Sequence, residues 1–183
     1  GSPDYLSSLM AVWIMHADDG GEMKRWLGLS QHIESPVWSP DGETLAFTLH
    51  LYEYGAQLRY MDAAGNVYAL GEDSKEVQRY DPLWSPDGRW IAYAARQVGP
   101  ETNDLWLMPS PLNPLYEGEW APVRLTQMGT ARGPAWSPDG TQIAFVAAEN
   151  GAFDVWLLDL DTSGAVPRPA GSPARLTNGG DVD

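Results

Sequence analysis

One segment that recurs three times constrains the fold of this chain more than any other feature of its sequence. The copies read SPVWSPDG at 35–42, DPLWSPDG at 81–88 and GPAWSPDG at 133–140, and each leads into a short apolar strand pattern at 45–47, 91–93 and 143–145. The shared tryptophans are 46 and 52 residues apart, close to the roughly 40–50 residues of a four-stranded propeller blade. We therefore predict an all-β fold, a partial β-propeller of antiparallel blades.

The Ser-Pro-Asp-Gly part of the repeat predicts a tight turn. Serine at position i can bond forward, proline presets the backbone angle at i+1, aspartate suits i+2 and glycine fits i+3. The turn joins the first two strands of each unit, strands a and b, into a hairpin. It also predicts a structural role for the repeated aspartates, which are Asp41, Asp87 and Asp139.

A second hairpin completes each unit. Strand c is visible at 104–108 and 154–158, with a weaker copy at 57–61, and strand d reads VRLT at 123–126 and ARLT at 174–177. We predict one propeller segment over 1–183, made of a half blade (strands c and d) at 11–30 and full blades at 35–71, 81–128 and 133–178.

The repeated tryptophans have two interpretations. Trp38, Trp84 and Trp136 could stack on a ligand, because tryptophan is common in carbohydrate and peptide sites. Their recurrence at one repeat position favours a place in the core, where aromatic side chains dominate burial. In strand b, Leu45 and Phe47 alternate with Ala46, which predicts that large and small residues face opposite sides and that neighbouring blades interlock.

The string Pro-x-Trp-Ser-Pro-Asp-Gly-x-x-Ile-Ala-Phe, followed by Asp-x-Trp-x-x-Asp and Arg-Leu-Thr, resembles the TolB-like (WD-like) propeller repeat. This repeat occurs in periplasmic TolB proteins and in the non-catalytic propellers of prolyl-oligopeptidase and dipeptidyl-peptidase relatives. The resemblance implies a propeller scaffold and an extracytoplasmic (periplasmic or secreted) setting. It leaves the ligand open, because propellers host many unrelated activities.

Composition narrows the classes of partner. The 183 residues include 11 Lys and Arg against 25 Asp and Glu, a net charge of −14. Because phosphate binding relies on Lys and Arg, nucleic acid is not expected as a partner. No run approaches the roughly 18 apolar residues of a membrane helix, so membrane insertion is not expected. The sequence has no cysteine and indicates no cofactor.

The sequence offers little for catalysis. A serine hydrolase needs a Gly-x-Ser-x-Gly elbow, and none occurs in this chain. His16, His32 and His50 fall at unlike repeat positions, which argues against a shared metal site. The acidic segment 17–22 lacks calcium-loop spacing and matches the c-to-d turns of later units. We therefore predict neither an enzyme nor a metal site.

Function on a propeller is expected where the repeats differ. Four residues before each strand-a tryptophan stand Glu34, Tyr80 and Arg132, at the entry to the innermost strand, which predicts a position around one mouth of the central channel. Asp81 and the b-to-c loops, which often carry function, should join them on the same face. The loop residues are Tyr52, Tyr54 and Arg96. The long c-to-d connection of the second unit adds Tyr116 and Trp120, either as a partner contact or folded back on its own blade.

Three functions remain open at this point. The first is a non-catalytic binding module or scaffold for a protein or peptide. The second is the accessory gating propeller of a serine peptidase whose catalytic domain lies outside this sequence, and the third is a cation- or glycan-binding propeller. An arc of about three and a half blades exposes its terminal faces, so we expect either that the chain is a segment of a longer propeller or that it forms a homodimer. In the dimer, two chains would join into one ring or bury their open ends against each other.

Overall fold

The structure is a computed structural model that describes residues 11–14, 24–28, 32–100, 102–118 and 120–178, with the side chains of 11–14 and 24–28 left aside. The described residues form β-strands and turns and include no helix, as predicted. None of them forms a helix long and apolar enough to cross a membrane.

The strands group into four antiparallel sheets that follow chain order. The first sheet pairs β1 (Ala11–Ile14) with β2 (Lys24–Gly28). The second contains β3 (Ile33–Trp38), β4 (Leu45–Leu51), β5 (Gly55–Met61) and β6 (Val67–Ala69). The third contains β7 (Val77–Trp84), β8 (Trp90–Gln97), β9 (Asn103–Pro109) and β10 (Val123–Arg124). The fourth contains β11 (Arg132–Trp136), β12 (Gln142–Glu149) and β13 (Ala152–Asp161), with β14 (Arg168–Pro169) and β15 (Ala174–Arg175) both pairing with β13.

The second, third and fourth sheets are blades one, two and three below. Their a strands are β3, β7 and β11, the innermost strands of the arc, and β7 contacts both β3 and β11. Each sheet spans one copy of the repeat, so the repeat unit and the structural unit coincide.

The Ser-Pro-Asp-Gly turn has the same hydrogen bonds in all three blades. In blade one, Gly42 N donates to Ser39 O over 2.9 Å, and Gly42 has a φ of 76°. Ser39 Oγ donates to Asp41 Oδ1 over 2.5 Å and accepts from Thr44 N over 2.9 Å. The serine–aspartate distance is 2.5 Å in blade two and 2.6 Å in blade three. The bond from Ser39 Oγ lowers the pKa of Asp41 most strongly, and a further bond from Glu43 N to Asp41 Oδ1 lowers it as well.

The core lies between the blades. Leu45 and Phe47 pack in one cluster with Met61, whereas Ala46 packs in another with Ile91 and Tyr93 of blade two. In blade two, the large residues of strand b thus face the preceding blade, whereas Ala92 and Ala94 face the following one, as the alternation predicted. The small residues leave room for the bulky side chains of the next blade.

The core prediction fits two of the repeated tryptophans and is wrong for the third. Trp84 is 5% exposed, and Trp136 is partly buried with its Nε1 donating to Leu83 O of the preceding blade over 3.4 Å. Trp38, in contrast, is 43% exposed. The strand-a tryptophan packs on the preceding blade, and in the described residues the sheet preceding Trp38 consists of only two strands.

Burial along strand b shows how the blades are covered. Trp90 to Ala95 of β8 are all buried, because blade two is covered on both faces. In β12 the burial alternates between buried and half-exposed residues. Within the described residues, blade three therefore has one face that no further blade covers.

Candidate functional site

A β-bulge interrupts the innermost strand of every blade at the same position. In blade one, Trp38 pairs with Leu45, but Glu34 pairs with Thr48, so β3 contains one residue more than β4 between these pairs. The register shifts in the same way after Tyr80 in β7 and after Arg132 in β11. Bulges re-aim the neighbouring side chains. Here they do so at the entry to the innermost strands.

The bulged residue has a left-handed backbone in each blade. The φ angles are 49° at Ser35, 53° at Asp81 and 59° at Gly133. Positive φ is uncommon outside glycine, and strain of this kind clusters at functional sites. We call the residues at and next to these bulges, together with the adjacent b-to-c loops, the rim.

Tyr80 is the centre of the rim in blade two. Its hydroxyl donates to Asn103 Oδ1 over 2.8 Å. Burial raises the pKa of Tyr80, while the nearby charges of Arg96 and Arg132 oppose the rise and Asp81 adds to it. The structure thus brings four of the predicted rim residues into one electrostatic environment, namely Tyr80, Asp81, Arg96 and Arg132.

In blade three, the rim contains Arg132. Its guanidinium carbon lies 4.3 Å from the centroid of the Phe153 ring, a cation–π distance. Phe153, from the third b-to-c hairpin, is 52% exposed. No repeat pattern in the sequence pointed to Phe153, because its contact with Arg132 depends on how β11 and β13 lie on either side of β12.

The rim of blade one carries Glu34 between two histidines. Glu34 Oε1 lies 3.2 Å from His32 Nε2, and Glu34 Oε2 lies 3.0 Å from His50 Nε2. The two imidazole rings stack with centroids 4.8 Å apart. Although the histidines fall at unlike repeat positions, the structure brings His32 and His50 together, while His16 lies outside the described residues. The bulge sets the register that places His32 opposite His50.

The remaining rim residues are loop residues with different environments. Tyr52 is fully exposed at the tip of the first b-to-c hairpin. Tyr54 is half-buried, and Lys75 Nζ lies 5.4 Å from its ring centroid. Both tyrosines lie in the b-to-c loop that follows His50, so they extend the surface next to the His32–Glu34–His50 cluster.

The opposite face carries the second predicted surface. Tyr116 Oη donates to Ala69 O over 3.2 Å, and Trp120 Nε1 donates to Tyr116 O over 3.2 Å. Both rings pack against the core between blades one and two. The long connection thus folds back, onto blade one as well as its own blade. The acidic segment 17–22 lies outside the described residues.

Comparison with known proteins addresses the fold. No protein-family model and no curated protein matches the sequence. Among solved structures, TolB from Acinetobacter baumannii aligns over 88% of this chain and 38% of its own, with a TM-score of 0.66 and 18% identity. A puromycin-hydrolyzing peptidase of Mycobacterium tuberculosis aligns over 93% of this chain and 31% of its own, with a TM-score of 0.63 and 14% identity.

A third structure is the β-propeller domain of the Trilobed protease from Pyrococcus furiosus. It aligns over 80% of this chain and 43% of its own, with a TM-score of 0.55 and 14% identity. This chain thus spans less than half the length of each of these three structures. At such identities the likeness concerns the fold, and that fold is a TolB-like β-propeller.

Proposed function

We propose that this chain is a non-catalytic binding module that holds a protein or peptide partner against the rim. The observation that carries the proposal is the bulge shared by all three blades. One backbone geometry presents Glu34, Tyr80 and Arg132 at equivalent positions. A position that only packs the scaffold would favour one residue type, whereas this position differs in every blade.

The charges of the rim support a peptide of mixed character. Glu34 and Asp81 are acidic, and Arg96 and Arg132 are basic, so the sign of the charge changes from blade one towards blade three. Arg132, exposed and stacked on Phe153, suits an acidic side chain or a terminal carboxylate. Tyr80 adds an amphipathic ring of the kind enriched in binding hot spots. The likeness to TolB supports an extracytoplasmic setting for this module.

A randomised peptide library displayed on phage tests the proposal. Peptides selected on the wild-type chain should carry an acidic residue, and Arg132→Ala or Tyr80→Ala should weaken their binding by at least about tenfold. Tyr68→Ala is the matched control, because Tyr68 is an exposed tyrosine on strand d of blade one, away from the rim. Selected peptides that bind the rim variants as tightly as the wild type would refute the proposal.

A second candidate is the accessory propeller of a serine peptidase, and the similarity to the two peptidase structures favours it. A Gly-x-Ser-x-Gly segment elsewhere in the encoding gene, together with peptidase activity of the whole product, would support this function. Under this alternative the rim would admit substrate towards a catalytic domain.

A further inference from the structure

His32, Glu34 and His50 form a cluster on one surface of the first hairpin. Histidine and glutamate are both common metal ligands in proteins. His32 and His50 lie opposite each other on β3 and β4, and His50 N donates to His32 O over 2.9 Å. Glu34 follows two residues after His32, on the same side of the strand. All three side chains are accessible, with exposed fractions of 46%, 45% and 38% for His32, Glu34 and His50.

The distances suit a single small cation. One ligand atom from each residue can be chosen so that all three lie within 4.8 Å of one another. Two ligands on a tetrahedral zinc ion, each about 2.0–2.1 Å from the metal, are about 3.3 Å apart. Each imidazole nitrogen already lies close to this distance from one oxygen of Glu34, His32 Nε2 at 3.2 Å from Oε1 and His50 Nε2 at 3.0 Å from Oε2. The largest separation among the chosen ligand atoms exceeds the zinc value by at most about 1.5 Å, a movement that side-chain rotation can provide.

The donor set indicates the class of metal. Two imidazoles and one carboxylate suit divalent transition metals, whereas calcium and magnesium prefer oxygen ligands alone. Three protein ligands leave at least one coordination position open, as in zinc sites that bind water or a substrate. The net charge of −14 also favours cations near the surface.

Comparison between the blades shows that the fold does not require this cluster. At the position of His32 and His50, blade two pairs Gln78 with Arg96. In blade three, Thr130 takes the position of His32 and exchanges hydrogen bonds with the backbone of Ala148, over 2.9 and 3.0 Å. The propeller therefore forms this part of the hairpin with several residue types, and the fold does not demand histidines here.

We propose that His32, Glu34 and His50 bind one divalent transition-metal ion, of which zinc is the representative. The proposal concerns blade one and goes beyond the proposed partner binding, with which it shares Glu34 but whose test uses Tyr80 and Arg132. An ion at this place would occupy the rim beside Ser35 and leave its open position towards solvent. It could there accept a donor group from a ligand that reaches blade one.

Isothermal titration calorimetry with zinc tests the proposal on the whole chain. We expect one equivalent to bind the wild type, and His32→Ala and His50→Ala each to weaken binding by at least about tenfold, since even outer-shell changes cost roughly 10–100-fold. His16→Ala is the matched control, because it removes the remaining histidine of the sequence and should leave binding unchanged. Magnesium at the same concentration should give no comparable binding.

Crystals soaked in zinc provide an independent measurement. An anomalous-scattering peak between the two imidazoles would support the proposal, and a peak elsewhere would refute it. Absence of zinc binding in calorimetry, or equal binding by wild type and both histidine variants, would also overturn it.

Because these side chains are exposed, the variants should keep the wild-type melting temperature without metal. Loss of peptide binding in Arg132→Ala with zinc binding intact would show that the two proposals stand or fall separately.

Discussion

Ser35 Oγ donates a 2.7 Å hydrogen bond to Asp81 Oδ1, and this bond joins the innermost strands of blades one and two. Asp81 N also donates to Thr48 Oγ1 over 3.3 Å, which ties the same residue to strand b of blade one. Both ends of the 2.7 Å bond are bulged residues with positive φ. The equivalent residue of blade three is Gly133, which has no side chain to form such a bond with Asp81.

A double-mutant cycle should detect the Ser35–Asp81 bond. Ser35→Ala and Asp81→Ala are expected to destabilise the chain less than additively when combined, with a coupling of about 1 kcal/mol, the net value of one hydrogen bond. Ser35→Ala keeps the Cβ and hence the backbone strain, so the cycle isolates the bond. Urea unfolding of the four proteins measures the coupling. A coupling near zero would mean that the bond does not hold the blades together.

The tryptophans at one repeat position should differ in their contribution to stability. Trp84→Ala should lower the free energy of unfolding by about 3–5 kcal/mol, because it empties a packed site between blades. Trp38→Ala should cost clearly less, since 43% of Trp38 is exposed while 5% of Trp84 is. Denaturant unfolding of both variants gives the comparison. Equal losses would show that Trp38 is buried in solution, for example against a second copy of the chain.

Glycine at the third bulge avoids the strain that a side chain would meet at its backbone angle. A Cβ at Gly133 would meet no atom within 4 Å, but its φ is +59°. Gly133→Ala should therefore cost about 1 kcal/mol from left-handed strain. Gly171→Ala is the matched control, because that glycine also has open space and its φ does not lie in the left-handed region. Thermal or urea unfolding should separate the two variants. If they are equally stable, the bulge does not impose strain.

Alkaline pH should destabilise the chain through Tyr93. Burial raises the pKa of Tyr93 from 10.0 to about 12, while nearby Arg79 opposes the rise. The folded state thus favours the neutral phenol, so this contribution is complete below pH 10 and is lost as the pH rises towards 12. Two pKa units correspond to about 3 kcal/mol at most.

Tyr93→Phe should remove this part of the alkaline dependence. Unfolding free energies measured between pH 8 and pH 11.5 should decline less steeply for Tyr93→Phe than for the wild type. Tyr52→Phe, which changes a fully exposed tyrosine, should follow the wild-type curve. An identical decline in all three proteins would contradict the assignment.

The sequence predicted the features that depend on neighbours along the chain. Turn chemistry at Ser39 to Gly42 is local, so its residues suffice to specify the hairpin. The alternation of Leu45, Ala46 and Phe47 predicted which faces pack, because the side-chain period of a strand is two residues. The repeat length then indicated the blade, and the structure confirms the all-β propeller fold.

Two features were decided only by the tertiary structure, the pairing register of the strands and the coverage of each blade by its neighbours. His32 and His50 are 18 positions apart in the sequence, and they meet because one bulged residue shifts the pairing of β3 with β4. A shift of one residue moves side chains to the opposite face. No residue pattern within the hairpin predicts where such a shift occurs. Trp38 repeats the sequence context of Trp84 but not its burial, because burial is set by the neighbouring sheet rather than by the strand itself.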